Sequence, residues 1–160
     1  MKKMKNKGFT LIELLAIIVI LAIIAVITVP LILGIIDEAK SKSAVSSVVG
    51  YGKAVELAYS HYQLGTDSTL VKPITGTGAV TSNELNSGAW IKLTVGSDVI
   101  AIRVDFSGDK VVCDTTGATN TVANGKLTLQ GCKINGNNSP TYLYDNGRGC
   151  TTPGSGTTCP

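Results

Sequence analysis

The chain has 160 residues, 44% of them apolar, and carries 14 Lys and Arg against 11 Asp and Glu, a formal +3. Lys2, Lys3, Lys5 and Lys7 supply that excess: residues 9–160 hold 10 against 11, a net −1. A global electrostatic case for nucleic-acid binding leaves with those lysines, so DNA binding is not supported; Lys133 and Arg148 are the only local candidates, and solvated surface charge is the simpler reading of both.

Residues 14–36 form the first element, 23 positions without a charge. As a helix they span roughly 35 Å, enough to cross a hydrocarbon core of about 30 Å with some tilt. An ordinary secretory signal has an apolar core of about 7–15 residues and a small-residue cleavage site behind it. This run is longer, and no A-x-A-like site follows. Lysines before the run, with only Asp37, Glu38, Lys40 and Lys42 just after it, place the N-terminus in the cytoplasm. Pro30 interrupts the run and predicts a bend, since it removes a backbone donor and clashes with the preceding turn. One carboxylate, Glu13, stands at the start of the run. A plain anchor gains nothing from it beyond a favourable place against the helix dipole.

The string Gly8-Phe9-Thr10-Leu11-Ile12-Glu13, set between four lysines and an apolar helix, resembles the start of the type IV pilin-like family. The resemblance implies a leader, residues 1–8, cleaved after Gly8 by a prepilin peptidase. Phe9 would become an N-methylated terminus, which keeps its charge. Glu13 would lie four residues from that amine on the same helix face. A carboxylate in hydrocarbon costs several kcal/mol unless paired. The resemblance pairs it with Phe9 of a neighbouring subunit, which would also set the axial stagger. It further implies that the segment before Pro30, residues 22–30, unwinds on assembly; the residues themselves support a passive bend more directly. The partners implied are other pilin subunits in a homopolymer, the peptidase/methyltransferase, an assembly platform in the membrane, and lipid before assembly.

Residues 9–36 are thus expected as a transmembrane or filament-core helix, and residues 37–64 as its amphipathic continuation. Val45, Val48, Val55, Tyr59 and Tyr62, with Gly52 in the same series, recur at helical spacing. Lys42, Ser46, Ser47, Lys53, Glu56 and Ser60 occupy the other face. Gly50 and Gly52 weaken the helix by about 1 kcal/mol each relative to Ala. They let a strand approach closely, or else mark a break between two helices. Residues 65–88 read as a connecting loop, with a short helix near Ser82-Asn83-Glu84-Leu85. Strand-like runs follow at residues 89–95, 99–106, 110–113 and 126–134, with Gly96-Ser97-Asp98 and Ser107-Gly108-Asp109 as hairpin links. A meander of three or four antiparallel strands over residues 89–134 is expected to cover the helical stripe, giving an α+β, pilin-like head. Residues 135–160, rich in Gly, Asn, Thr and Pro, are expected as a loop region ordered by disulfides.

Cys113, Cys132, Cys150 and Cys159 all lie in the part expected outside the membrane, where an even count reads as two disulfides. Three pairings are possible, and chain proximity favours Cys113–Cys132 with Cys150–Cys159. A zinc site lacks C-x-x-C spacing, and His61, the one histidine, is distant in sequence. No nucleophile, phosphate loop or metal cluster suggests an enzyme, and no cofactor is expected. His61 reads as a surface or core-edge residue. Asp105 and Asp109 read as turn acids. Asp145-Asn146-Gly147 reads as a turn in preference to a calcium loop.

The leading functional expectation is a structural subunit of a type IV pilus used in adhesion or surface motility. It would be a single-pass protein of the cytoplasmic membrane first and part of an extracellular filament afterwards. A pseudopilin of a type II secretion system or of a competence DNA-uptake filament is the alternative within the family. A single-pass membrane protein with a ligand-binding head that never polymerises is the alternative outside it.

Overall fold

A computed structural model describes residues 8–65, 68–113, 120–136, 140–151 and 159. The four N-terminal lysines and the tail positions 152–158 lie outside the described residues. The chain forms two compact units that divide after Ser41, and one helix, α1 (Leu11–Gln63), contributes to both.

In the first unit, residues 11–41 are exposed except for Thr28, which is half-buried. Apolar side chains occupy every side of the helix here, the pattern of a segment made for lipid or a protein interior. The segment is long and apolar enough to cross a membrane. Pro30 sits inside the helix, which continues through it. The segment before Pro30 is helical in the single chain. Thr28 Oγ1 donates to the Ile24 carbonyl at 2.9 Å, a back-bond that commonly bends helices.

In the second unit the same helix becomes one-sided. Val48, Tyr51, Gly52, Val55 and Ala58 are buried, at steps of three and four that keep one stripe toward the sheet. Tyr51, absent from the expected stripe, is among its most buried members, and Tyr62, expected in it, is exposed. Gly50 and Gly52 do not break the helix. A Cβ at Gly52 would come within 2.4 Å of the Tyr144 ring, and one at Gly50 within 3.2 Å of Phe106. The glycines are where the sheet comes close.

Among the described residues the sheet has eight strands, not three or four: β1 (Val71–Lys72), β2 (Trp90–Val95), β3 (Asp98–Arg103), β4 (Val111–Val112), β5 (Thr121–Ala123), β6 (Lys126–Ile134), β7 (Tyr142–Asp145) and β8 (Arg148–Thr151). Their order is β1-β3-β2-β5-β6-β7-β8, with β4 paired to β6 off this path. All pairings are antiparallel except β2 with β5. The simple meander is therefore corrected: Ser107-Gly108-Asp109 does not close a hairpin, because β4 leaves β3 and joins β6. Gly96-Ser97 does close the β2–β3 hairpin, where Val95 faces Asp98. The expected short helix forms as α2 (Ser82–Ser87), and the expected loop regions also hold strands, namely β1 before β2, and β7 with β8 near the C-terminus.

Alternation in each strand decides the core. Ile91, Leu93, Ile102, Leu127, Leu129 and Tyr144 face α1 and are buried. On the other face a smaller cluster of Val80, Leu85, Trp90 and Ala101 lies under the α2 segment. That segment is held by a capping box between Thr81 and Glu84 and ended by the left-handed Gly88. Lys72 joins it to β1 by an ion pair with Glu84, and its Nζ lies 4.8 Å from the centre of the Trp90 ring. Pro73 follows β1 directly and cannot donate to a ladder. The disulfides are Cys113–Cys132, within the core, and Cys150–Cys159, which ties β8 to the end of the chain.

Candidate functional site

Gly8, Phe9 and Thr10 precede α1 and are exposed, Phe9 by 84%. The helix then starts with a local device. Thr10 N–H donates to Glu13 Oε2 at 2.8 Å, Thr10 Oγ1 donates to the same oxygen at 2.8 Å, and Glu13 N–H donates to Thr10 Oγ1 at 3.4 Å. This is a capping box: the residue before the helix and the acid three positions later satisfy each other's donors. The sequence carries its signature, Thr10-Leu11-Ile12-Glu13 ahead of an apolar run, and Thr10 is the residue that sequence reasoning passed over. Both in-chain bonds end on Oε2. Oε1 has no hydrogen-bond partner among the described residues.

The structure places the expected site residues as follows. Gly8, Phe9 and Glu13 stand together at the start of α1. No hydrogen bond or ion pair joins Glu13 to Phe9 among the described residues. Pro30 lies further along the same helix and takes no part in the capping box. The four cysteines belong to the second unit, all in disulfides.

In the second unit, polar groups are engaged structurally. Asp109 accepts from Ser47 Oγ at 2.8 Å and from Asn135 Nδ2 at 3.4 Å, tying α1 to the end of β6. Tyr144 O–H donates to Glu56 Oε1 at 2.8 Å. Burial first, and then the Glu56 carboxylate, push the Tyr144 hydroxyl well above the usual tyrosine range. Burial does the same to Tyr51, whose O–H donates to the Gly88 carbonyl at 3.1 Å. Glu84 is lowered from 4.5 to about 2, by its hydrogen bond from Lys72 first and by those from Thr81 next. Asp145-Asn146-Gly147 forms the β7–β8 turn, with positive φ at Asn146 and Gly147. His61 lines a groove of about 400 Å³ with Leu57, Leu70, Arg103 and Asp105. Among the described residues, no group of three His, Cys, Asp or Glu side chains could hold a metal ion.

The N-terminal geometry coincides with a match to a known family. Residues 3–29 match the family model described as the prokaryotic N-terminal methylation motif. No curated protein and no solved structure matches the chain.

Proposed function

We propose that this type IV pilin-like chain is a structural subunit, processed between Gly8 and Phe9, that polymerises through its N-terminal helix into a surface filament. Before assembly, residues 9–36 hold it in the cytoplasmic membrane. In the filament the same residues pack against their copies in other subunits, and the part beyond them is displayed outside the cell.

One observation carries this reading. Residues 11–36 expose apolar side chains on all sides, yet the segment opens with the ionisable Glu13. Lipid alone accounts for the apolar surface but not for the acid, because a carboxylate in that setting needs a cationic partner. The Phe9 α-amine of a neighbouring copy is such a partner and stays charged when methylated. The pairing favours one axial offset between neighbours, since only one places amine and carboxylate side by side.

Two measurements test the proposal. N-terminal mass analysis of sheared surface material should find chains that begin at methylated Phe9; chains that retain Met1 would refute processing. Glu13→Val should leave processed subunit in the membrane with few filaments by electron microscopy. Filaments in wild-type number would refute the pairing.

A further inference from the structure

The sequence has three Asn-Gly steps, Asn124-Gly125, Asn135-Gly136 and Asn146-Gly147, and all lie in turns with positive φ at both residues. Such a step is open to attack by the glycine nitrogen on the asparagine side-chain amide, because glycine has no Cβ to hinder the approach. The three steps differ in what holds them. Asn135 is engaged at both ends of its amide: Oδ1 accepts from Lys110 N–H at 3.1 Å and Nδ2 donates to Asp109 at 3.4 Å. Asn124 and Asn146 are exposed, and their side-chain amides make no hydrogen bond among the described residues.

Asn146 also stands beside a base. Its backbone N–H donates to the Leu127 carbonyl at 2.9 Å, which pins the turn to β6. With Glu56, Tyr59 and Gly125 it lines a groove of about 260 Å³. Tyr144 O–H donates to Glu56 Oε1 at 2.8 Å, and the same hydroxyl oxygen accepts from the Gly147 backbone N–H. A path for a proton therefore runs from the Gly147 nitrogen, through the Tyr144 oxygen, to a carboxylate.

We propose that Asn146-Gly147 is a self-modifying site, where Tyr144, backed by Glu56, takes the proton from the Gly147 nitrogen as that nitrogen closes on Asn146 Cγ. The new C–N bond forms a succinimide. The Cγ–Nδ2 bond breaks, and the proton held by Glu56 returns to the departing nitrogen, which leaves as ammonia. Water then opens the ring, at Cγ to give aspartate or at the backbone carbonyl to give isoaspartate. The balance is one water consumed and one ammonia released, with no oxidation or reduction. The product places a new carboxylate beside Asp145 and Glu56, and residues 9–160 go from 10 basic against 11 acidic to 10 against 12, a net −2. Isoaspartate also lengthens the backbone inside the β7–β8 turn, so the hairpin loosens in chains that have aged.

The test incubates the purified full-length chain at near-neutral pH and follows the three Asn-Gly peptides by mass spectrometry, with isoaspartate read by fragmentation. In the folded wild type Asn146 should convert about tenfold faster than Asn124, with Asn135 slowest. That factor lies below the 10²–10⁴-fold typical of a placed base, because the Gly147 nitrogen must first turn toward Cγ. In denaturant the three should convert alike. Tyr144→Phe and Glu56→Gln should each bring Asn146 down about tenfold, to the rate of Asn124. The sign is decisive: a turn that deamidates only because it moves would convert faster once Tyr144 lets go of it. Gln keeps an acceptor for Tyr144 but takes no proton, so a purely structural Glu56 would leave the rate unchanged.

Asn135 gauges folding in every sample, since its amide is held only in the native head. If Tyr144→Phe frees Asn135 to convert like Asn124, that chain has unfolded and Glu56→Gln decides. Equal rates at Asn146 and Asn124 in the folded wild type would overturn the proposal. So would an unchanged or faster Asn146 in a folded Tyr144→Phe or Glu56→Gln chain.

Discussion

Within α1, Val48, Tyr51, Val55 and Ala58 are buried by a sheet of the same chain, whereas residues 11–36 leave their large apolar side chains open. The two stretches are continuous helix, so backbone hydrogen bonding does not distinguish them. The arrangement of side chains does. The distal stretch alternates small, apolar and polar residues to make one packing stripe. The proximal stretch has no polar side to turn to water. The first is completed by its own chain and the second must be completed by something else. The glycines tell the same story: Gly34 has nothing within 4 Å of a built Cβ, and Gly52 has the Tyr144 ring in that place.

That contrast can be broken at three points. The largest effect should come from Gly52→Val. Its side chain collides with Tyr144 in a full core, and overpacking of this kind costs about 1–3 kcal/mol or more. Gly34→Val should leave the head's melting temperature unchanged. If the two variants lower it equally, the division of the helix into a packed and an open half is wrong. If Gly34→Val spares stability yet reduces filament yield, the open half is identified as a contact face between copies.

A smaller effect is expected for Tyr144→Phe. It keeps the ring over Gly52 and removes the hydroxyl that donates to Glu56. A hydrogen bond to a charged group contributes about 1.5–3 kcal/mol, and this one, on a partly exposed acid, belongs at the low end. Chemical denaturation of the head should show a lower midpoint with an unchanged slope. An unchanged midpoint would mean that the ring, and not the hydroxyl, joins β7 to the helix.

The smallest effect concerns acid. Glu84 is held at about 2 against an ordinary 4.5. Its contribution to stability is therefore fully present above about pH 4.5 and is lost as pH falls toward about 2. Lys72→Ala and Glu84→Gln should each lower the head's melting temperature slightly near neutrality. The gap from the wild type should close in strong acid. A gap that persists there would show that the clasp works by packing on Trp90 and not by charge.

Parts of this were legible in the sequence, for identifiable reasons. The apolar run, α1 itself and strands β2, β3 and β6 are long enough for their periodicity to show. The α2 turn shows through its capping residues. Strands β5, β7 and β8 were hidden because three or four residues cannot display a period, and their neighbours Asn, Gly and Thr read as loop. Yet Asn124-Gly125 and Asn146-Gly147, both with positive φ at each residue, are the two-residue turns that close β5–β6 and β7–β8. Asn-Gly is the strongest short hairpin signal, and composition outweighed it in the reading of the tail. The crossing of β4 to β6 was not legible, because nothing local to Val111 and Val112 names their partners Ile134 and Lys133. At the N-terminus Glu13 stood out as a charge beside an apolar run. Thr10 did not, because a threonine acquires its meaning only with the acid three residues on.

The edge at β1 has a consequence for crowding. Two residues of strand, one of them Lys72, are followed at once by Pro73. An open sheet edge is a template on which another copy's strand can grow, and a lysine and a proline both discourage it. Any process that gathers many copies by their N-terminal segments brings their sheets to high local concentration. A long, flat border at β1 would then turn ordered gathering into indiscriminate clumping. A border of two residues closed by proline would discourage such pairing at this edge.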